Sequence, residues 1–139
     1  RGLHLATHAE FRADNPLFSG LSLADGWLTT LDLFNWRLQA SLVTLSACQT
    51  GRSVIGGGDE ILGLLRALLY AGARTVVASL WPVQDTVTAR LMEHFYSALA
   101  AGVHKGAALK QAQQTLRLEG HIHPYYWAPF FLVGDSGPL

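Results

Sequence analysis

Leu42-Val43-Thr44-Leu45-Ser46-Ala47-Cys48-Gln49-Thr50-Gly51 is the stretch on which the fold turns. Residues 41–47, Ser41 and the first part of that stretch, are an almost unbroken apolar run with no polar alternate face. Such a run is the pattern of a strand buried on both sides, as in sheets covered by helices. The chain around it repeats the theme. After a loop over 51–58 containing three consecutive glycines, residues 59–71 place Ile61, Leu62, Leu65, Leu68 and Leu69 at helical spacing, with Gly72 as C-cap. Residues 75–80 form a second buried strand. Residues 86–101 form a helix with Val87, Leu91, Phe95 and Leu99 along one stripe, residues 105–118 another helix, and residues 127–133 an aromatic strand stopped by Gly134-Asp135. Upstream, residues 3–8 read as a short strand. Asp25-Gly26 joins residues 21–23 and 27–29 as a hairpin, and residues 30–39 suit one short helix. Strands alternating with helices predict an α/β protein, a mainly parallel sheet covered on both faces as an α/β/α three-layer sandwich.

The bulk composition bounds the rest. A chain of 139 residues suits one domain spanning 1–139, and 50% hydrophobic residues supply its core. A formal net charge of +0 without a basic stripe removes the electrostatic footprint of a nucleic-acid binder, and no apolar run is long enough to span a membrane. One cysteine cannot form an internal disulfide, which fits a reducing, cytoplasmic setting. The chain starts at Arg1 and enters a strand almost at once, as a piece of a longer protein whose upstream strands are missing would.

In sheets of this kind chemistry gathers at the carboxyl ends of strands. His8 falls just past the first strand and Cys48 just past the second, so neighbouring strands would bring them to one rim. A thiol becomes a good nucleophile on losing its proton, and a nearby imidazole can take that proton and later protonate a leaving amine. Small neighbours, Ser46, Ala47, Thr50 and Gly51, leave room for a substrate backbone, and the Cys48 amide is placed to hold an oxyanion. Taken alone, Cys48 also reads as a small buried hydrophobe.

Several segments in order carry a resemblance. LVTLSACQTG at 42–51 and LHLATH at 3–8 are similar to the nucleophile and histidine segments of CHAT domains, and the former more loosely to the QAC-x-G segment of caspases. PLFSGLSLADG at 16–26, the run from the glycine triplet through ARTVVASLWPVQD to Asp85, and YWAPFFLVGD at 126–135 match as well. The chain thus resembles the caspase- and separase-related cysteine peptidases. The resemblance implies His8 and Cys48 as a catalytic dyad, and the amides of Cys48 and Ala9 as oxyanion donors. Relatives often carry glycine in place of Ala9. It also implies cleavage after a basic residue held by Asp85, and control by a partner or an attached helical-repeat (TPR-like) domain. Its substrate would be a protein or peptide, and it asks for no cofactor or metal. Asp85 reads alternatively as a helix N-cap, and Trp81 as either a pocket wall or a core aromatic. A catalytically silent caspase-like scaffold for protein interaction stands as the alternative function.

Other signals lead elsewhere. The glycine triplet lacks the Lys-Ser or Lys-Thr of a phosphate loop and is followed by Asp59 and Glu60, with Asp59 suiting a helix cap. His4, which shares a strand face with His8, and His121 and His123 do not make a compact metal set with one cysteine. His94 and His104 suit helix surfaces. No G-x-S-x-G elbow is present.

Overall fold

The computed structural model describes residues 2–12, 14–46, 48–49 and 59–139, the side chains of residues 48, 49, 59 and 60 excepted. Among them the chain runs through β1 (Gly2–Leu5), β2 (His8–Glu10), β3 (Gly20–Leu23), β4 (Gly26–Thr29), α1 (Thr30–Phe34), β5 (Leu42–Leu45), β6 (Cys48–Gln49), α2 (Asp59–Ala71), β7 (Thr75–Ser79), α3 (Asp85–Ala100), α4 (Lys105–Leu118) and β8 (Phe130–Gly134). The loop expected over 51–58 lies outside the described residues.

The main sheet has the order β1-β5-β7-β8. β5 runs parallel to β1 from Gly2↔Leu42 to Leu5↔Leu45 and parallel to β7, while β8 is antiparallel to β7. All four residues of β5 are buried, as its apolar run predicts. Alternation sorts them onto two faces. Val43 and Leu45, with Val76 and Ala78, join Leu33 of α1 and Leu64, Leu65 and Leu68 of α2 in one core. Leu42 and Val77 join Val87, Leu91 and Phe95 of α3 and Leu109 and Leu116 of α4 in the other. This is the expected three-layer α/β sandwich, mostly parallel and caspase-like. Each fully buried Leu, Val or Phe in these layers contributes about 1.5–3 kcal/mol of transfer free energy.

A smaller sheet, β4-β3-β2-β6, sits beside it. Its β3–β4 hairpin is the one marked by Asp25-Gly26, with Gly26 at a φ of 144°. The strand expected over 3–8 is therefore two strands: β1 stops at Leu5 and the chain enters β2 at His8. The helix expected over 30–39 is only α1. Thr29 and Asp32 close a capping box at its start, and after Asn35 the chain straightens so that Leu38 N–H can donate to the Ala71 carbonyl at 2.6 Å. In α2 Leu62 faces outward at 43% exposure and Leu64 takes the core position instead. The closing strand begins at Phe130 rather than Trp127, because a 3-10 turn over Pro124–Tyr126 occupies the approach.

The far end is fastened by Lys105, which is buried while its ammonium pairs with Asp135 at 3.2 Å. The amides of Lys105 and Gly106 donate to Gly137 and Ser136 carbonyls.

Gly72 ends α2 at a φ of 111°, and a Cβ there would run into the Leu38 carbonyl. Gly26 has positive φ but open space around it. In chemical denaturation Gly72→Ala should cost about 2–4 kcal/mol, and Gly26→Ala only about 1 kcal/mol. Equal losses would remove the steric account of Gly72.

Candidate active site

β1 and β5 end side by side at Leu5 and Leu45, and Ser46 N–H still donates to the Leu5 carbonyl at 3.2 Å. Both chains then leave the main sheet together. The Thr7 hydroxyl bonds the Ser22 carbonyl of β3, which turns the first chain into the smaller sheet. There β2 pairs with β3 on one side and with β6 on the other. The β2–β6 ladder is parallel, with His8↔Cys48 and Ala9↔Gln49 as register partners. Register partners on neighbouring strands stand about 4.8 Å apart across a ladder. The two residues are thus facing members of a strand pair and open their strands, a closer relation than two loose strand ends. The Cys48 thiol lies outside the described side chains.

An open cleft of about 360 Å³ lies along the α3 side of this pair, lined by His4, Ser46, His8, Asp85, Met92 and Phe130 among others. Sequence positions as distant as His8 and Asp85 therefore share one hollow. Asp85 is exposed and is the first residue of α3; the N-cap is Gln84, with no side-chain cap bond. The N-cap role considered for Asp85 is corrected accordingly. Its carboxylate still suits the positive end of the helix dipole.

Trp81 lines a separate small apolar hollow with Phe11, Leu45 and Leu80. Its indole N–H donates to the Tyr125 carbonyl at 3.0 Å, the two rings stack at 6.4 Å, and the Tyr125 hydroxyl donates to the Pro82 carbonyl at 2.9 Å. This fastens the segment that delivers Asp85.

Ala9 is 2% exposed, its side chain in the first core and its backbone between β3 and β6. No non-glycine residue among those described has positive φ, so alanine carries no strain where relatives have glycine.

His4 is the residue that sequence reasoning undervalued. Among the described residues it belongs to no metal-binding cluster; Nε2 lies 2.8 Å from Ser46 Oγ and Nδ1 lies 3.1 Å from the Tyr96 hydroxyl, which is hydrogen-bonded to Thr44 Oγ1 at 2.9 Å. Tyr96 belongs to α3, so the only sequence signal was His4 standing on the same strand face as His8. The remaining histidines lie away from this cleft. His94 is 3.0 Å from Glu119, which also binds Arg90, and His123 Nδ1 accepts the Tyr125 amide. His104 is the N-cap position of α4.

The model of the CHAT domain family matches residues 1–135. Human tetratricopeptide repeat protein 28 (Homo sapiens) is 36% identical over 113 residues, which is 81% of this chain and 4% of that protein. The mouse protein of that name (Mus musculus) is 36% identical over 113 residues, 81% of this chain and 5% of that protein. The chain therefore corresponds to a small part of these relatives' length. No helix among the described residues is long and apolar enough to cross a membrane.

Burial lowers the His4 pKa below its ordinary 6.5. Between the two values the unfolded chain binds a proton that the folded chain refuses. The resulting stability is complete above the unfolded pKa and is lost as pH falls toward the folded one. On going from about pH 7.5 to about pH 5, the melting temperature of the wild type should drop further than that of His4→Asn. Identical acid losses would show that His4 does not titrate differently on folding.

Proposed function

The chain belongs to the CHAT domain family, and on that footing we propose that it is a cysteine endopeptidase that cleaves after a basic residue. The observation that carries this reading is the register pairing of His8 with Cys48, with His8 lining the same cleft as Asp85. The sulfur of Cys48 attacks the substrate carbonyl carbon, and the amides of Cys48 and Ala9 hold the oxyanion. The C–N bond then breaks to leave a thioester, and His8 delivers to the departing amine the proton it took from the thiol. Water adds to the thioester with His8 as base, and the carboxylic acid and free thiol are released. Asp85 meets the arginine or lysine that precedes the cut through a charge-assisted hydrogen bond.

The 139 residues act as one catalytic domain of a longer protein. The relatives are tetratricopeptide repeat proteins, which supports helical repeats beside it as the regulatory partner. The single cysteine suits work in the cytoplasm.

An acyloxymethyl-ketone probe with arginine next to its reactive carbonyl should label the wild type and leave Cys48→Ala and His8→Ala unlabelled. Asp85→Asn should reduce kcat/KM on arginine peptides about 10- to 100-fold, the worth of a hydrogen bond to a charged group. Probe incorporation that survives Cys48→Ala would end the nucleophile assignment. Equal turnover of arginine and leucine peptides by the wild type would end the assignment of Asp85.

A further inference from the structure

The cleft holds a second hydroxyl-and-imidazole arrangement, apart from Cys48 and His8. Ser46 follows β5, His4 belongs to β1 and Tyr96 to α3. His4 Nε2 stands 2.8 Å from Ser46 Oγ, and His4 Nδ1 stands 3.1 Å from Tyr96 Oη. A further contact of 2.9 Å ties Tyr96 Oη to Thr44 Oγ1. The His4 and Tyr96 rings pack with centroids 5.6 Å apart and planes 35° from parallel, which limits how the imidazole turns. A hydroxyl within reach of an imidazole whose other nitrogen is held by a third group is the arrangement that activates a nucleophile, whatever the fold or the order along the chain. Each of these contacts works with either partner donating. A neutral imidazole exchanges its proton between its two nitrogens, so the form with Nε2 bare and Ser46 donating needs no movement of heavy atoms. Ser46 is partly buried, and both it and His4 border the open cleft of about 360 Å³. Val83, Met92 and Phe130 give that space an apolar side.

We propose that Ser46 is a second nucleophile of the cleft, with His4 as its general base and Tyr96 as a positioning residue, and that it takes the acyl group of short-chain carboxylic esters. Ser46 Oγ bonds to the ester carbonyl carbon while His4 Nε2 takes the hydroxyl proton. The ester C–O bond breaks, and the alcohol leaves with that proton. Water then adds to the acyl-serine with His4 as base. The serine oxygen regains a proton, and the carboxylic acid departs. An ester suits this site better than a peptide. An alkoxide leaves more readily than an amide anion, and the group behind the imidazole is a neutral phenol rather than a carboxylate. The acyl chain rests on Val83, Met92 and Phe130. Burial lowers the His4 pKa, which favours the neutral ring that a base must be. Among the described residues, the titratable groups that touch His4 or share its cleft are Tyr96 of α3, His8 of β2 and Asp85 of α3, and β5 contributes none. No step uses Cys48, so the inference goes beyond the peptidase reading and does not depend on it.

The test uses the intact protein carrying Cys48→Ala, which leaves it without a thiol. A fluorophosphonate, whose fluoride a serine oxygen displaces, should form one adduct, and peptide mass spectrometry should locate it on Ser46. This protein should turn over p-nitrophenyl acetate about 10- to 100-fold faster than the same protein with Ser46→Ala or His4→Asn added, the lower range of general-base catalysis. Unchanged melting temperatures separate loss of the nucleophile from loss of the fold, and the position of the adduct needs no further variant. Tyr96→Phe should slow acylation and move the midpoint of its pH profile while the adduct stays on Ser46; an unmoved midpoint would overturn its positioning role. An unlabelled protein, an adduct on another residue, or equal turnover after Ser46→Ala would overturn the second nucleophile, and each of these results leaves the assignment of Cys48 untouched.

Discussion

The molecule depends on one pairing, the parallel contact of β1 with β5. It is in register over four positions, with β5 fully buried between two layers of helices. Two chains so aligned leave the sheet at the same level and in the same direction. A short link on each is then enough to make them strands again, side by side, as β2 and β6. The alignment of His8 with Cys48 is thus inherited from a stiff apolar core and does not have to be created by flexible loops. A one-residue slip in β1 would exchange its two faces, sending Leu3 and Leu5 toward α3 and His4 toward the first core. The energetic penalty of that exchange guards the site's geometry without any contact in the site itself.

The electrostatics follow from the same framework. Asp85 sits at the positive end of α3. Burial lowers the His4 pKa, and desolvation raises that of Tyr96, whose hydroxyl lies 3.1 Å from the His4 ring. A cluster of ion pairs lies elsewhere, where Arg90 bridges Glu93 and Glu119 across α3 and α4 and draws the Glu119 pKa down. Arg90, Glu93 and Glu119 are not among the residues that line the cleft.

Much of this was legible in the sequence, because burial on two faces writes itself into long apolar runs. β5, β7 and α2, α3 and α4 lie within a residue or two of where periodicity puts them. The split of residues 3–8 into two strands was not legible: Ala6 and Thr7 carry no turn signal, and the break is made by a Thr7–Ser22 bond that only the folded chain supplies. The outward turn of Leu62 and the inward turn of Leu64 were hidden because a leucine-rich helix fits several stripes equally well. The capping box of Thr29 and Asp32 was present in the sequence as a local signal, yet the apolar letters beyond it suggested a longer helix. His4 was readable as a neighbour of His8, but its work needs Tyr96, which arrives from another layer. Side chains that meet through the fold leave no local pattern.

The fastening of Trp81 and Pro82 by Tyr125 bears on the order in which the protein is built. The segment leading to Asp85 takes its shape from a turn far downstream. Phe130, from the final strand, closes one side of the hollow, held at its carbonyl by Gln113. A ribosome delivers His8 before these braces. The thiol and imidazole strands can meet on the nascent chain well before the hollow beside them has walls. Only docking of β8 completes the walls of the hollow beside them.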